Sequence, residues 1–259
     1  MSVALAYSVI GDRRKPTLVM SSSLGTTRAM WEPQHALQAE YSLLTYDHRG
    51  HGASPAPPGP YTVDELGADL IVLLDRLGIM SVSFCGLSLG GMVGLWLAAH
   101  HPERIDRLVV MCALARLEPS SRYIERATAV RAHGLAPIAR DVVAHWFTAA
   151  YAARHENTLR TYATALTGMD AEGYASSCEA VAACDLRKAI GRIDASTLLV
   201  AGAEDPFVAP AAAVMFGASF REASVAVVPA AAHLVNVEQP DLVNRLLLDH
   251  LAEGNGGTP

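Results

Sequence analysis

Short apolar segments alternate with longer amphipathic segments along much of the chain. The apolar segments are rich in β-branched residues and lack a polar face, which is typical of strands buried on both sides of a sheet. We predict strands in residues 17–23, 42–47, 81–86, 107–113, 196–206 and 224–233. Residues 62–78 have an apolar stripe, acidic residues near the start and a glycine at the end, and this pattern predicts a helix. Buried strands joined by helices predict an α/β fold with a mostly parallel central sheet and helices on both faces.

The strand pattern stops between residues 115 and 190. The sequence there is rich in alanine and helical in pattern, with scattered aromatic residues. Because strands resume afterwards, we predict an inserted helical cap at 115–190 on a single core made of residues 1–114 and 191–259. A last helix is predicted at about 240–252, and residues 253–259 are predicted to fray.

Composition favours a small-molecule partner. The chain has 259 residues, 51% of them hydrophobic, which is enough for a sizeable core. The formal net charge of -6, without a run of lysine or arginine, argues against nucleic acid or an anionic membrane as partner. No leader-like segment or membrane-length apolar run is found, and the four cysteines lack zinc or redox spacing, so we expect a cytoplasmic protein with reduced thiols.

The clearest chemical motif is Gly86-Leu87-Ser88-Leu89-Gly90, a G-x-S-x-G pattern. A predicted strand leads into it, and a predicted helix continues from residue 91 and ends before Pro102, which is the arrangement of a nucleophile elbow. Small neighbours are needed because the serine backbone is strained and the helix passes close to the strand. We therefore predict that Ser88 is a nucleophile.

A serine hydroxyl needs a base, and a base needs an orienting acid. His233 ends the last predicted strand segment, in a loop before the final helix, and Asp205 follows the strand "TLLVAG" at 197–202. Glu204 is the rival for the acid. The chain order Ser88, Asp205, His233 is that of the α/β-hydrolases.

Hydrolysis at a carbonyl also needs two preorganised N–H donors for the oxyanion. The Leu89 amide, directly after the nucleophile, is one candidate. The Leu24 amide is the other, because residues 21–27 form the loop after an early strand and Gly25 permits the turn.

The segment at 46–57 contains Asp47, His48 and His51, which could be read as metal ligands. Arg49 would place a positive charge beside such an ion, and no third ligand of fixed spacing follows. We predict instead a structural turn tied by Asp47 and Arg49, and we expect no metal or other cofactor.

With these segments in place, nearly the whole chain resembles the 3-oxoadipate (β-ketoadipate) enol-lactone hydrolases of the α/β-hydrolase superfamily. The narrower similarities are "SLGTTRAMWEPQ" at 23–34, "HWFTAAY" at 145–151 and "GYASSCEAVAACDLR" at 173–187. The resemblance implies an α/β-hydrolase fold with a helical cap. It also implies opening of an anionic enol-lactone to 3-oxoadipate in the catabolism of aromatic compounds.

One position departs from this family, whose members often have arginine before the Trp-Phe pair where this chain has His145. If that arginine holds the acetate group of the substrate, the role falls here to His145, Arg126, Arg131 or His133, or the substrate differs. Trp146 is a further candidate for lining the pocket.

Other functions stay open on the same residues. A general carboxylesterase, a C–C bond hydrolase or a cofactor-free perhydrolase would use the same core with different cap chemistry. A binding protein for a small molecule on this fold is a further alternative. Either a monomer or a homodimer is compatible with the sequence.

Overall fold

The computed structural model describes residues 2–252, so the segment 253–259 that is predicted to fray lies outside the described residues. Within them the chain forms one seven-stranded sheet. The strands are β1 (Tyr7–Ile10), β2 (Thr17–Ser21), β3 (Ser42–Tyr46), β4 (Val82–Leu87), β5 (Ile105–Met111), β6 (Ser196–Gly202) and β7 (Ala223–Val228). Their spatial order is β1-β3-β2-β4-β5-β6-β7, with β1 antiparallel to β3 and the other neighbours parallel. This is the predicted mostly parallel sheet, and its carboxyl edge gathers the loops after β2, β4, β6 and β7.

Helices cover the sheet and fill the region between β5 and β6. They are α1 (Val63–Arg76), α2 (Leu89–His100), α3 (Ser121–His133), α4 (Ala139–Ala144), α5 (Ala149–Arg154), α6 (Glu156–Thr167), α7 (Ala171–Ala183), α8 (Pro210–Gly217), α9 (Val235–Glu238) and α10 (Pro240–Ala252). Short 3₁₀ helices occupy Arg28–Ala39, Pro102–Arg104 and Ile190–Arg192. No helix among residues 2–252 has both the length and the apolar character needed to cross a membrane.

The six predicted strands are confirmed, with differences at their ends. The segments 196–206 and 224–233 were predicted to run further, but the chain leaves the sheet after Gly202 and Val228. Strand β1 was not predicted. It is an edge strand that pairs only with β3 and is partly exposed, so its sequence lacks the continuous apolar run of a central strand.

Local signals explain the predicted helices around the central strands. Helix α1 begins with a capping box, in which the Thr62 side chain accepts from the Glu65 amide and the Glu65 carboxylate accepts from the Thr62 amide. Helix α2 is different, because residues 89–99 are all buried and no polar stripe is left. This helix is the central one, packed against the sheet beneath and against α1 at its side.

Helices α3 to α7 form a helical insertion, here defined as residues 115–190. Helix α3 packs on α7, and Arg131 of α3 forms ion pairs with Glu172 and Glu179 of α7. The insertion contacts the core at the carboxyl edge of the sheet: the Leu234 amide donates to the Trp146 carbonyl at 3.0 Å. Residues of the insertion therefore lie over the loops that carry Ser88 and His233.

Candidate active site

Ser88 lies in the sharp turn between β4 and α2. Its backbone has φ 56° and ψ -114°, a conformation that L-residues rarely adopt and that costs about 1–3 kcal/mol. The surrounding chain stabilises it, since the Ser88 amide donates to the Met111 carbonyl at 2.8 Å and the Ser88 carbonyl accepts from the Met92 amide at 3.0 Å. Strain held in this way projects the side chain out of the turn, as the G-x-S-x-G motif predicts.

The two glycines of the motif are needed for close packing. A Cβ atom on Gly86 would lie 2.2 Å from the Gly90 carbonyl oxygen. A Cβ atom on Gly90 would lie 2.0 Å from the Ser21 carbonyl oxygen at the end of β2. Glycine at both positions therefore lets β2, β4 and α2 converge beneath the serine.

Asp205 and His233 come together from the loops after β6 and β7. The His233 Nδ1 atom lies 3.0 Å from Asp205 Oδ2, and both residues are buried. Burial opposes ionisation of Asp205, but the histidine, the Phe207 amide and the Cys112 thiol outweigh it, and the pKa of Asp205 falls below its ordinary value. A carboxylate held in this way fixes Nδ1 as the protonated nitrogen and leaves Nε2 as the basic one.

The structure separates Asp205 from its rival Glu204 and from Asp185 and Asp194, which also lie between Ser88 and His233 in the chain. Glu204 is exposed, whereas Asp205 is buried and lies against His233. Asp185 and Asp194 form exposed ion pairs with Arg187 and Arg221. Asp205 is thus the carboxylate that the fold places against the histidine.

Cys112 is a contact that the sequence did not reveal. It follows β5 with φ 50°. Its Sγ atom lies within 4.8 Å of a carboxylate oxygen of Asp205 and of a ring nitrogen of His233. Burial, followed by the neighbouring Asp205, raises the pKa of its thiol well above the ordinary value. The thiol therefore stays protonated and is a hydrogen-bond donor toward Asp205, whereas a metal would require a thiolate.

Glu238 also escaped sequence reasoning. Its buried carboxylate accepts hydrogen bonds from the Thr148 amide at 2.8 Å, from the Thr148 hydroxyl at 2.9 Å and from the Ala232 amide. Thr148 belongs to the helical insertion and Ala232 directly precedes His233. Glu238 therefore ties the histidine loop to the insertion.

The Leu24 loop, here defined as residues 22–26, lies beside the first turn of α2. The Ser22 carbonyl accepts from the Gly90 amide at 3.1 Å, which joins this loop to the serine turn. Neither the Leu24 amide nor the Leu89 amide donates to a protein acceptor within residues 2–252. These two N–H groups near the serine are therefore available to donate to a substrate.

One narrow pocket contains Ser88, His233 and Leu24. Its volume is about 20 Å³. The walls consist of Ser23, Leu24, Ser88, Tyr123, Arg126, Val142, Trp146, Tyr174, Val181, Phe207 and His233. Of the five residues considered for substrate binding, Arg126 and Trp146 are in this pocket.

Arg126 and Tyr174 both line the pocket and lie close to each other. The Tyr174 side chain is fully buried, yet its hydroxyl makes no hydrogen bond of normal geometry within the described chain. Burial raises the pKa of this phenol, so it remains a neutral donor, and the nearby Arg126 guanidinium opposes that rise only in part. A guanidinium and a neutral phenol hydroxyl in one pocket are suited to bind a carboxylate.

The other three residues lie outside the pocket, so its geometry does not favour them for substrate binding. Arg131 is held by Glu172 and Glu179, so its charge is already paired. His133 is exposed at the end of α3. His145 is exposed too, and its Nδ1 atom lies 2.8 Å from the Asp141 carbonyl of its own helix.

Asp47 and Arg49 each anchor the turn at 47–53, but to different partners. Asp47 accepts from the Arg28 amide at 2.7 Å and also pairs with the Arg28 guanidinium. Arg49 pairs with buried Asp69, with its Nε atom 2.6 Å from Oδ2. We name residues 47–53 the histidine turn, because His48 and His51 point from it toward the Leu24 loop.

Comparison with known proteins agrees with this geometry. The profile of the family described as the alpha/beta hydrolase fold matches residues 16–240. The chain is 42% identical to 3-oxoadipate enol-lactonase 2 of Acinetobacter baylyi over 93% of this chain and 91% of that protein. It is 34% identical to 3-oxoadipate enol-lactonase 1 of the same organism over 92% of this chain and 89% of that protein. The crystal structure of the enol-lactonase from Burkholderia xenovorans LB400 superposes with a TM-score of 0.94 at 37% identity, covering 96% of this chain and 97% of that one. The resemblance that the motifs indicated is thereby confirmed.

Proposed function

The chain belongs to the α/β-hydrolase family, and on that premise we propose that it is a serine hydrolase that opens 3-oxoadipate enol-lactone to 3-oxoadipate. The observation that carries this choice of substrate is the Arg126 guanidinium in the same pocket as Ser88 and His233. An uncharged ester gains little from a cation there, whereas the lactone carries a carboxylate.

The first half of the reaction forms an acyl-enzyme. The Ser88 hydroxyl attacks the ring carbonyl while His233 Nε2 takes its proton, and the amides of Leu24 and Leu89 stabilise the oxyanion. Collapse of the tetrahedral intermediate breaks the ring C–O bond. The enol oxygen takes the proton back from Nε2, and the enol then becomes the ketone.

The second half is hydrolysis. His233 takes a proton from a water molecule, which attacks the ester carbonyl, and Ser88 leaves with that proton as product is released. Asp205 stabilises the imidazolium at both stages without being protonated itself. A shorter route is also open, in which His233 activates water directly against the lactone, because an enol is a good leaving group.

Within this proposal the helical insertion acts as a cap over the site. A volume of about 20 Å³ has room for little more than one water molecule, so the walls must separate before a lactone can enter. Arg126, Trp146 and Tyr174 belong to the insertion, and their movement would open the pocket and then close it around the substrate. Recognition of the carboxylate by Arg126 and Tyr174 would follow that closure.

We further propose that the protein works in the cytoplasm on a small-molecule substrate. Its four cysteines are all free and buried, which fits a reducing compartment.

The test is lactone hydrolysis, followed by the loss of ultraviolet absorbance of freshly generated enol-lactone, with an aryl ester as the comparison substrate. We expect the lactone to be turned over much faster than the ester. Ser88→Ala should lower kcat by about 10⁴-fold or more. Lactone activity that survives in Ser88→Ala but is lost in His233→Ala would identify the direct-water route. Ester turnover without lactone turnover would refute the proposed substrate.

The role of Arg126 has its own matched control. Arg126→Met should raise the KM for the lactone by about 10-fold or more while changing the KM for the uncharged ester little, because one charge-assisted contact is worth roughly 1.5–3 kcal/mol. Arg131→Met, on the same helix but outside the pocket, should leave both KM values close to wild type. Equal effects of Arg126→Met on the two substrates would contradict the assignment.

A further inference from the structure

Two buried histidines of the histidine turn contact the Leu24 loop on both sides of Leu24. His48 and His51 are each 1% exposed, and their rings are 6.0 Å apart. Neither is used in the reaction described above.

The hydrogen bonds of His51 define which of its nitrogens carries the proton. Its Nδ1 atom lies 3.1 Å from the Arg49 carbonyl oxygen, which can only accept, so Nδ1 must donate. The Gly25 amide lies 3.0 Å from Nε2 and can only donate, so Nε2 must accept. His51 is therefore neutral in this structure, and burial, which lowers its pKa, favours that state.

His48 acts on the other side of Leu24 with the opposite polarity. Its Nε2 atom lies 3.0 Å from the Ser22 carbonyl oxygen, so this nitrogen donates. The same carbonyl accepts from Gly90 next to the serine turn. The peptide group between Ser22 and Ser23 is thus fixed from two directions.

These contacts restrict the Leu24 amide although neither histidine touches it. The Leu24 N–H belongs to the peptide unit between Ser23 and Leu24. The unit before it is held at the Ser22 carbonyl and the unit after it at the Gly25 amide, and each peptide unit is rigid. Gly25 has φ +80°, so the loop reverses direction at the point that His51 holds. Little freedom remains for the Leu24 N–H between the two fixed planes.

We propose that His51 is a positioning residue, whose unprotonated Nε2 holds the Gly25 amide so that the Leu24 N–H stays aimed at the oxyanion. This inference rests on the proposed function to the extent that Leu24 supplies an oxyanion donor. A preorganised donor lowers the barrier because it needs no rearrangement when charge develops on the carbonyl oxygen. A donor that can turn away loses that advantage, even when the protein stays folded.

Two substitutions separate this role from a merely structural one. His51→Asn keeps a side-chain N–H near the Arg49 carbonyl, but it is too short to reach the Gly25 amide. His51→Gln places an amide oxygen near the position of Nε2, where it can accept from Gly25, but it gives up the donor to Arg49. Each variant therefore keeps one of the two hydrogen bonds.

The experiment measures kcat and KM for the enol-lactone and for an aryl ester, together with thermal unfolding of each variant. We expect His51→Asn to lower kcat by about 10- to 100-fold on both substrates with little change in KM, and His51→Gln to keep most of the wild-type kcat. Loss of one oxyanion donor costs about 10²- to 10³-fold, so a displaced donor should cost somewhat less.

Equal losses in the two variants, or losses that only track the folded fraction, would overturn the proposal. Wild-type kcat in His51→Asn would do the same. If the wild type hydrolyses the ester and not the lactone, the proposed substrate fails, but the comparison of the two variants on the ester still decides the role of His51.

Discussion

His48 should make the folded protein sensitive to acid, and the size of the effect follows from its burial. Burial, then the adjacent His51, lowers the pKa of His48 from 6.5 to about 3 in spite of its bond to the Ser22 carbonyl. The unfolded chain takes up this proton near pH 6.5, whereas the folded protein does so only near pH 3. Between these values the unfolded state binds more protons, so the free energy of unfolding falls as the pH falls.

The magnitude can be worked out for a change from pH 7 to pH 5. The unfolded state gains stability over about 1.5 pH units below its own pKa, at about 1.4 kcal/mol per unit, while the folded state gains almost nothing. The expected loss from His48 is therefore about 2 kcal/mol. For a chain of this length, that corresponds to a fall in Tm of about 4 °C.

His48→Gln is the variant that isolates this effect. Its amide nitrogen can donate to the Ser22 carbonyl as Nε2 does, but the group does not titrate. Urea denaturation of both proteins at pH 7 and pH 5 gives the change in the free energy of unfolding, and differential scanning calorimetry gives the change in Tm. The variant should lose about 2 kcal/mol less than the wild type over this range. An identical loss in the two proteins would show that His48 is protonated in the folded state at pH 5, and the reasoning from burial would be refuted.

Three further predictions concern the serine turn and the loops that hold the acid and the base. Asp205→Asn should lower kcat by roughly 10⁴-fold with the protein still folded, because the amide cannot hold the required tautomer of His233; kinetics with circular dichroism as the folding control checks this. Glu238→Gln should cost about 2 kcal/mol in urea denaturation, because its amide group would oppose a backbone N–H donor; unchanged stability would mean that the contact is dispensable. Gly90→Ala should destabilise the protein by about 3 kcal/mol or prevent folding, because the new Cβ would overlap the Ser21 carbonyl oxygen. Gly191→Ala, which has open space around the new Cβ, should have little effect in the same urea denaturation.

The central part of the fold could be predicted because its signals are local. Strands β2 to β7 are apolar on both faces or bounded by glycine, and α1 carries its own capping box. The edge strand β1 has no such signal. It is a strand because β3 offers it a partner, and that partner is more than thirty residues away.

The candidate triad could be predicted for a related reason. Ser88 directly follows β4, while Asp205 and His233 lie in the loops after β6 and β7, and strands of a parallel sheet bring their carboxyl ends to one edge. Chain order and strand ends were therefore enough to choose Ser88 and His233 and to place the acid at Asp205 or its neighbour Glu204. The choice of Asp205 over the adjacent Glu204 also needed burial, which only the folded chain provides.

The sequence determined the elements, their order and the residues at the carboxyl edge of the sheet, because hydrophobic period, capping residues and glycine spacing act over a few positions. Tertiary structure decided which of the five candidate side chains line the pocket. Arg126 and Trp146 do so, whereas His145, Arg131 and His133 lie outside it. It also brought Cys112 to Asp205, Glu238 to Thr148 and His51 to Gly25. These contacts join distant segments and depend on side-chain direction at each end, so no local pattern in the sequence encodes them.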